Sequence, residues 1–132
     1  MLYYCNARNI PDNAAEVWFV VRSLQIYHPV KGVKYRHVNT LSPNLELFKW
    51  ARKKIDNNDW GIKEYEKYED EFARQLLSDA GALKLITYLR GIMKDNNKNI
   101  WLACYCVNFE RCHLKILKKI IEKPECKRTD CI

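Results

Sequence analysis

Two short runs of apolar residues constrain the fold of this chain most strongly, because each is apolar on both of its faces. Residues 17–21 read Val-Trp-Phe-Val-Val, and residues 100–106 consist mainly of apolar and cysteine side chains. A strand with one face in water alternates polar and apolar residues, whereas a strand buried on both faces does not. The two runs therefore predict inner strands of a mostly parallel sheet.

The rest of the sequence predicts the other elements of an α/β fold. Residues 2–5 are expected to form a strand, and the alternation over residues 32–38 is typical of a half-exposed one. Ser42 and Pro43 favour a helix start, with Ser42 as the N-cap and Pro43 at the first helical position. Apolar stripes at helical spacing then predict three helices before the strand at 100–106 and one after it. The stripes are Leu47, Phe48, Ala51 and Ile55; Tyr65, Tyr68, Phe72 and Leu76; Leu83, Ile86, Leu89 and Met93; and Leu114, Leu117 and Ile121.

Length, charge and cysteine usage set the class of protein. The chain has 132 residues, 48% of them apolar, which predicts a single compact domain over residues 1–123 followed by a short basic, cysteine-containing tail at 124–132. No apolar run is long enough to span a bilayer, and six cysteines without a secretory signal argue against a disulfide scaffold. We therefore expect a soluble, cytoplasmic protein without membrane contact. The sequence gives no indication of its oligomeric state.

The net charge of +7 favours an anionic partner. A nucleotide or a phosphate-bearing small molecule fits this charge, and nucleic acid is a further candidate, because the segment around the last helix is rich in lysine. Lysines at helical spacing are, in the simplest interpretation, a solvated helix face. A solubilising lysine surface would account for the same charge without any ligand.

Residues with reactive or charged side chains follow the predicted strands. Asn6 and Arg22 come directly after two of them, and Cys104 lies within the last. Ligands bind outside the carboxyl ends of the strands in parallel sheets, so we expect these side chains to meet at one edge. Arg22 and Asn6 are candidate ligand-binding residues there.

Arg111-Cys112-His113 marks the start of the last helix, at Arg111 or Cys112. The amides and dipole of a helix N-terminus favour an anion or a thiolate, and His113 could carry a proton. Cys112, His113 and Cys104 are therefore the candidate catalytic residues, and Arg111 joins Arg22 and Asn6 as a candidate ligand-binding residue. Whether the site is catalytic or only binds its ligand stays open at this point.

Two further interpretations compete with a reactive thiol. Cys104, Cys106, Cys112 and His113 are residue types that bind zinc, although their spacing differs from the usual two close pairs separated by a loop. Cysteine is also a common buried residue, so Cys104 could belong to the core. We expect no cofactor, and zinc is the alternative. The alternative function is that of a structural zinc-binding or nucleic-acid-binding module without catalysis.

The order of these motifs resembles the domain of unknown function 488 family. Leu102-Ala103-Cys104 followed by Glu110-Arg111-Cys112-His113 is similar to the closing motif of that family, and Val20-Val21-Arg22-Ser23 to one of its strand ends. "GVKYRHVNTLSPNLELFKW" and "EYEKYEDEF" resemble segments between them, so that the resemblance covers roughly residues 17–122.

This resemblance implies a compact, three-layer, Rossmann-like domain with helices on both faces of the sheet. The family pattern has an arginine directly after Cys-His, where this chain has Leu114 followed by Lys115. Lys115 is therefore the remaining candidate for ligand binding. The resemblance and the residue chemistry both point to a Cys/His/Arg pocket that binds or processes an anionic, nucleotide-like or phosphate-bearing ligand.

Overall fold

The computed structural model describes residues 1–23, 29–105 and 112–123. In this part of the chain the strands are β1 (Leu2–Asn6), β2 (Glu16–Phe19), β3 (Lys34–His37) and β4 (Ile100–Cys104). The α-helices described there are α1 (Leu45–Asp56), α2 (Ile62–Leu77), α3 (Ala80–Met93) and α4 (His113–Glu122). The strands form one parallel sheet in the order β1-β4-β2-β3.

The prediction of inner strands is confirmed for both apolar runs. All of β2 is buried, and β4 is buried except at Trp101, which is half-buried. Because β4 pairs with β1 and β2, and β2 pairs with β4 and β3, both are hydrogen-bonded on each side. The half-exposed strand predicted over residues 32–38 is β3, which lies at the edge of the sheet, where exposed side chains are tolerated.

The start of α1 differs from the prediction. The hydroxyl of Ser42 donates to the carbonyl of Asn39 at 2.6 Å and so belongs to a 3₁₀ turn over Asn39–Leu41. Asn44 is the N-cap instead, because its side-chain oxygen accepts a hydrogen bond from the Leu47 N–H at 2.9 Å. The Ser-Pro signal was misleading because the turn before the helix already uses the serine.

The core lies between the sheet and the helices that cover it. Tyr4, Trp18 and Leu102 share one sheet face, since they are neighbours in register on β1, β2 and β4. On this face Trp18 stacks on Tyr88 of α3, with ring centroids 5.8 Å apart, and Lys118 of α4 lies over the Tyr4 ring at 5.5 Å. Each fully buried side chain such as Leu102 contributes about 1.5–3 kcal/mol.

The helices also pack on one another, and this completes the fold. α2 contacts α1, α3 and α4, and α3 contacts α4. The chain therefore has the predicted α/β fold with a parallel sheet, and the arrangement is consistent with the expected three-layer, Rossmann-like form. None of the helices in the described part combines the length and apolarity needed to cross a membrane. The predicted tail at 124–132 lies outside the described residues.

Candidate functional site

Cys104, Cys112 and His113 lie together in the interior, and we call them the thiol–imidazole cluster. Cys104 is the last residue of β4, Cys112 is the N-cap of α4 and His113 is the first residue of that helix. The two Sγ atoms are 3.2 Å apart. Cys104 is 2% exposed, Cys112 1% and His113 8%, so the cluster is closed to bulk solvent.

A backbone carbonyl sets the orientation of the His113 ring. Its Nε2 lies 2.6 Å from the carbonyl oxygen of Val20, and a carbonyl can only accept, so Nε2 carries a hydrogen. In the neutral imidazole Nδ1 is then the acceptor, and it lies 3.9 Å from Cys112 Sγ. The ring of Phe72 meets the imidazole edge-on at 5.9 Å. His113 is therefore positioned to take a proton from Cys112.

The N-terminus of α4 provides a second group that acts on the Cys112 sulfur. The Leu114 N–H donates to Cys112 Sγ at 3.3 Å, which makes the thiol the cap of the helix. Backbone amides and the helix dipole favour negative charge at this position. Burial disfavours the same charge, so a thiolate at this position would depend on His113 and on the helix amide.

A cleft of about 770 Å³ lies at the carboxyl edge of the sheet, with His113 in its wall. We call it the arginine cleft, because Arg8, Arg22 and Arg52 line it among the described residues. The sulfur-bearing residues Cys104 and Cys112 are not among its described lining residues. His113 thus connects the closed cluster to the open cleft.

The arginines lie where an anion could reach them. Arg22 follows β2, is half-buried and donates through Nη1 to the Pro43 carbonyl at 3.1 Å. Arg8 donates to the Tyr105 carbonyl at 2.9 Å, and its guanidinium lies 5.8 Å from the centre of the Tyr105 ring. A guanidinium has five N–H donors, so one such bond leaves Arg22 able to bind a carboxylate or phosphate through the others.

The walls of the cleft are largely apolar, and α1 provides much of them. Leu45, Phe48 and Ile55 are 44–48% exposed and line the cleft. Leu47 and Ala51, on the adjoining face of α1, are buried in the core. The apolar stripe predicted for this helix is therefore divided, since Phe48 and Ile55 lie exposed in the wall of the cleft while Leu47 is packed in the core. Among the described lining residues, aromatic rings come from Phe48, Trp60, Tyr68 and Tyr105.

The other predicted site residues have different positions. Asn6 is the last residue of β1, and its side-chain oxygen accepts from the Arg8 N–H at 2.9 Å, so that it helps to position Arg8. Lys115 lies in the first turn of α4 and is not among the described residues that line the cleft. Arg111 and Cys106 lie outside the described residues.

The zinc set predicted from the sequence depends partly on Cys106. Among the residues that the structure describes, no group of three or more His, Cys, Asp or Glu side chains is arranged to hold a metal ion. Cys104, Cys112 and His113 contact one another through hydrogen bonds between their side chains.

Sequence reasoning missed Arg52, Phe48 and Trp60 as residues of the cleft. One signal was present, because Leu45, Phe48, Arg52 and Ile55 follow the spacing of a single helix face. An arginine within an apolar stripe indicates that this face borders solvent or a ligand and is not packed in the core. Trp60 gave no such signal, since it lies in the connection between α1 and α2.

The fold and the site define a small α/β protein with a basic, aromatic cleft at the strand ends and a buried cysteine–histidine cluster behind it. The chain matches the family model DUF488-N3a, described as the active DUF488-N3 subclade, over residues 8–125. That range covers most of the chain, so the chain belongs to the DUF488 family. It includes Arg8, Arg22 and all of the thiol–imidazole cluster. The chain matches no curated protein and no solved structure.

Proposed function

We propose that this protein binds a nucleotide-like, phosphate-bearing anion in the arginine cleft. The observation that carries the proposal is the combination of guanidinium groups and aromatic rings in one cleft. Arg8, Arg22 and Arg52 suit the phosphate, while Phe48 and Trp60 suit the flat face of a base. The volume of about 770 Å³ lies within the range of small-molecule sites.

Overall charge supports the same kind of ligand. The net charge of +7 attracts anions over the range of the Debye length and raises their concentration near the surface. Arg22 is the best placed of the three arginines to hold the phosphate, because it is half-buried and its backbone follows an inner strand. Partial burial strengthens a guanidinium–phosphate pair relative to one in open solvent.

If the ligand is processed, His113 would connect the thiol–imidazole cluster to it, because His113 lines the cleft whereas Cys112 is 1% exposed. His113 Nδ1 would accept the proton of Cys112, and the Val20 carbonyl would hold the Nε2–H of the resulting imidazolium. Cys104 would donate its S–H to the Cys112 thiolate at the observed distance of 3.2 Å. The matched subclade is described as active, which favours processing over binding alone.

Binding is tested by titration calorimetry with the four ribonucleoside monophosphates. Arg22→Ala should weaken the affinity by about tenfold or more, since a charge-assisted hydrogen bond contributes roughly 1.5–3 kcal/mol. Arg22→Lys should recover only part of it, because a lysine cannot bind bidentately. Arg74→Ala is the matched control, as Arg74 is an exposed arginine of α2 that pairs with Glu71.

The proposal fails if none of these nucleotides binds at millimolar concentration, or if Arg22→Ala binds as well as the unaltered chain. Cys112→Ser then separates an enzyme from a binding module. Serine is a good N-cap, so this variant should fold and bind the ligand normally. An enzyme would lose turnover with Cys112→Ser, whereas a binding module has no turnover to lose.

A further inference from the structure

A second cavity adjoins the arginine cleft and differs from it in chemistry. Its volume is about 550 Å³, and Arg22 and Ser42 line both spaces, so the two meet at these residues. It lies between the 3₁₀ turn, the start of α1 and the connection from α2 to α3. We call it the polar cavity, because Leu76 and Ala80 are its only apolar side chains among the described lining residues.

The lining of the polar cavity is rich in neutral hydrogen-bonding groups. The carboxamides come from Asn39, Asn44 and Gln75, and the hydroxyls from Thr40, Ser42 and Ser78. Asp79 adds one carboxylate, and Arg22 is the only cation among the described lining residues. Such a mixture of donors and acceptors suits a ligand group that carries several hydroxyls, each of which both donates and accepts.

Some of these groups already have partners, and their remaining atoms define what the cavity offers. Asp79 Oδ1 accepts from the Gly81 and Ala82 N–H groups, at 2.8 and 3.2 Å, as the N-cap of α3. Gln75 Oε1 accepts from the Asn44 N–H at 3.0 Å. Asp79 therefore offers its second oxygen as an acceptor, and Gln75 offers its amide N–H₂ as a donor.

The charges assign different parts of a ligand to the two spaces. Asp79 repels a phosphate in the polar cavity, whereas its carboxylate can accept hydrogen bonds from neighbouring hydroxyls of a sugar. Arg22, at the junction, attracts a phosphate from either side. A ligand with its base in the arginine cleft and its phosphates at Arg22 would therefore extend towards the hydroxyl-binding lining.

We infer that the substrate class is a nucleoside diphosphate that carries a sugar, with the sugar held in the polar cavity by Asp79 and its neighbours. This inference rests on the proposed function, because it requires the nucleotide to be bound in the arginine cleft. It assigns Asp79, Gln75 and Thr40 as residues that determine specificity for the group beyond the phosphates.

Two pairs of compounds test the inference by titration calorimetry with the full chain. UDP is compared with UDP-glucose, and ADP with ADP-ribose, because the members of each pair differ by the terminal sugar. At least one sugar-bearing compound should bind about tenfold more tightly than its parent diphosphate, through the added hydrogen bonds. Asp79→Asn should remove most of this gain and leave the affinity for the diphosphate unchanged.

The variants are chosen so that the fold is kept. Asparagine is as good an N-cap as aspartate, so Asp79→Asn keeps the start of α3 and removes only the charge. Thr40→Val removes one hydroxyl without touching a cap and should reduce the gain by a smaller factor. Asp70→Asn, which alters an exposed carboxylate of α2 outside both cavities, is the matched control.

The outcomes separate the inference from the proposed function. If the diphosphates bind in a manner that depends on Arg22 but neither sugar adds affinity, the inference is wrong and the nucleotide proposal stands. The inference is also wrong if the sugar adds affinity that both Asp79→Asn and Thr40→Val leave intact. If the monophosphates bind but no diphosphate or sugar-bearing compound does, the inference alone is wrong; if none of these compounds binds, the proposed function fails and the inference fails with it.

Discussion

The thiol–imidazole cluster is closed and packed, whereas the arginine cleft, which shares His113 with it, is open and lined by partly exposed apolar side chains. Cys104, Cys112 and His113 are held by β4, α4 and a carbonyl next to β2. The cleft depends on α1 and on residues that follow strands. The two cysteines and the histidine therefore belong to the core, while the arginines and most of the aromatic rings of the cleft lie on its border.

This comparison predicts different consequences of mutation in the two regions. Changes in the cluster should lower the free energy of unfolding, because they remove buried contacts and leave polar atoms without partners. Changes in the cleft should mainly affect ligand affinity. His113→Ala and Phe48→Ser test this division, and Cys5 gives a comparison outside both regions.

The largest effect is expected from His113→Ala. This change leaves the Val20 carbonyl without its partner and opens a space beside Phe72, so the free energy of unfolding should fall by about 2–4 kcal/mol. His37→Ala is the matched control, since His37 Nε2 also bonds a carbonyl, that of Val21 at 2.7 Å, but from an exposed ring. It should cost about 1 kcal/mol or less, measured by urea denaturation. Equal losses for the two variants would contradict the division.

A smaller effect, on affinity and not on stability, is expected from Phe48→Ser. Phe48 is 44% exposed, so the free energy of unfolding should change by only about 0.5 kcal/mol. Nucleotide affinity should fall about threefold to tenfold, because a stacking surface is lost. Leu83→Ser, at a similarly exposed residue of α3 away from the cleft, serves as the control in calorimetry. A loss of stability without a loss of affinity would place Phe48 in the core.

The smallest effect concerns Cys5, a thiol of β1 that belongs to neither region. Burial raises the pKa of Cys5 to about 11, so the folded protein holds this proton more tightly than the unfolded chain. Stability should therefore decline as the pH rises from about 9 to about 11, by roughly 1 kcal/mol once solvent screening of this half-buried group is allowed for. Cys5→Ala should make the decline over this pH range shallower, as measured by thermal unfolding at several pH values. An unchanged slope would show that another group is responsible.

Much of the fold could be predicted because its strongest signals are local. Residues 17–21 and 100–106 are apolar on both faces, and a run of this short length is typical of an inner strand. The start of α1 could not be predicted in the same way. Ser42 and Asn44 are both good caps, and the choice between them depends on a 3₁₀ turn whose Leu41 is buried and whose Asn39 carbonyl accepts from Ser42.

The candidate site was partly predictable for the same reason. Cys104, Cys112 and His113 could be placed together, since a strand end and a helix start must meet at the carboxyl edge of the sheet. Arg22 was placed at that edge by the same argument, and the structure has it in the wall of the cleft. The role of Arg52 and Phe48 depends on how α1 is rotated relative to the core, which helical spacing alone does not determine.

Cys112 is both the residue proposed to react and the group that closes the first turn of α4. A covalent bond at its sulfur would weaken the acceptor that the Leu114 amide uses, and that end of the helix would loosen. Since α4 packs against α2, α3 and β4, a covalent change at this sulfur would weaken the packing of three other elements of the fold. The melting temperature of the protein would then show whether this sulfur carries a covalently bound group.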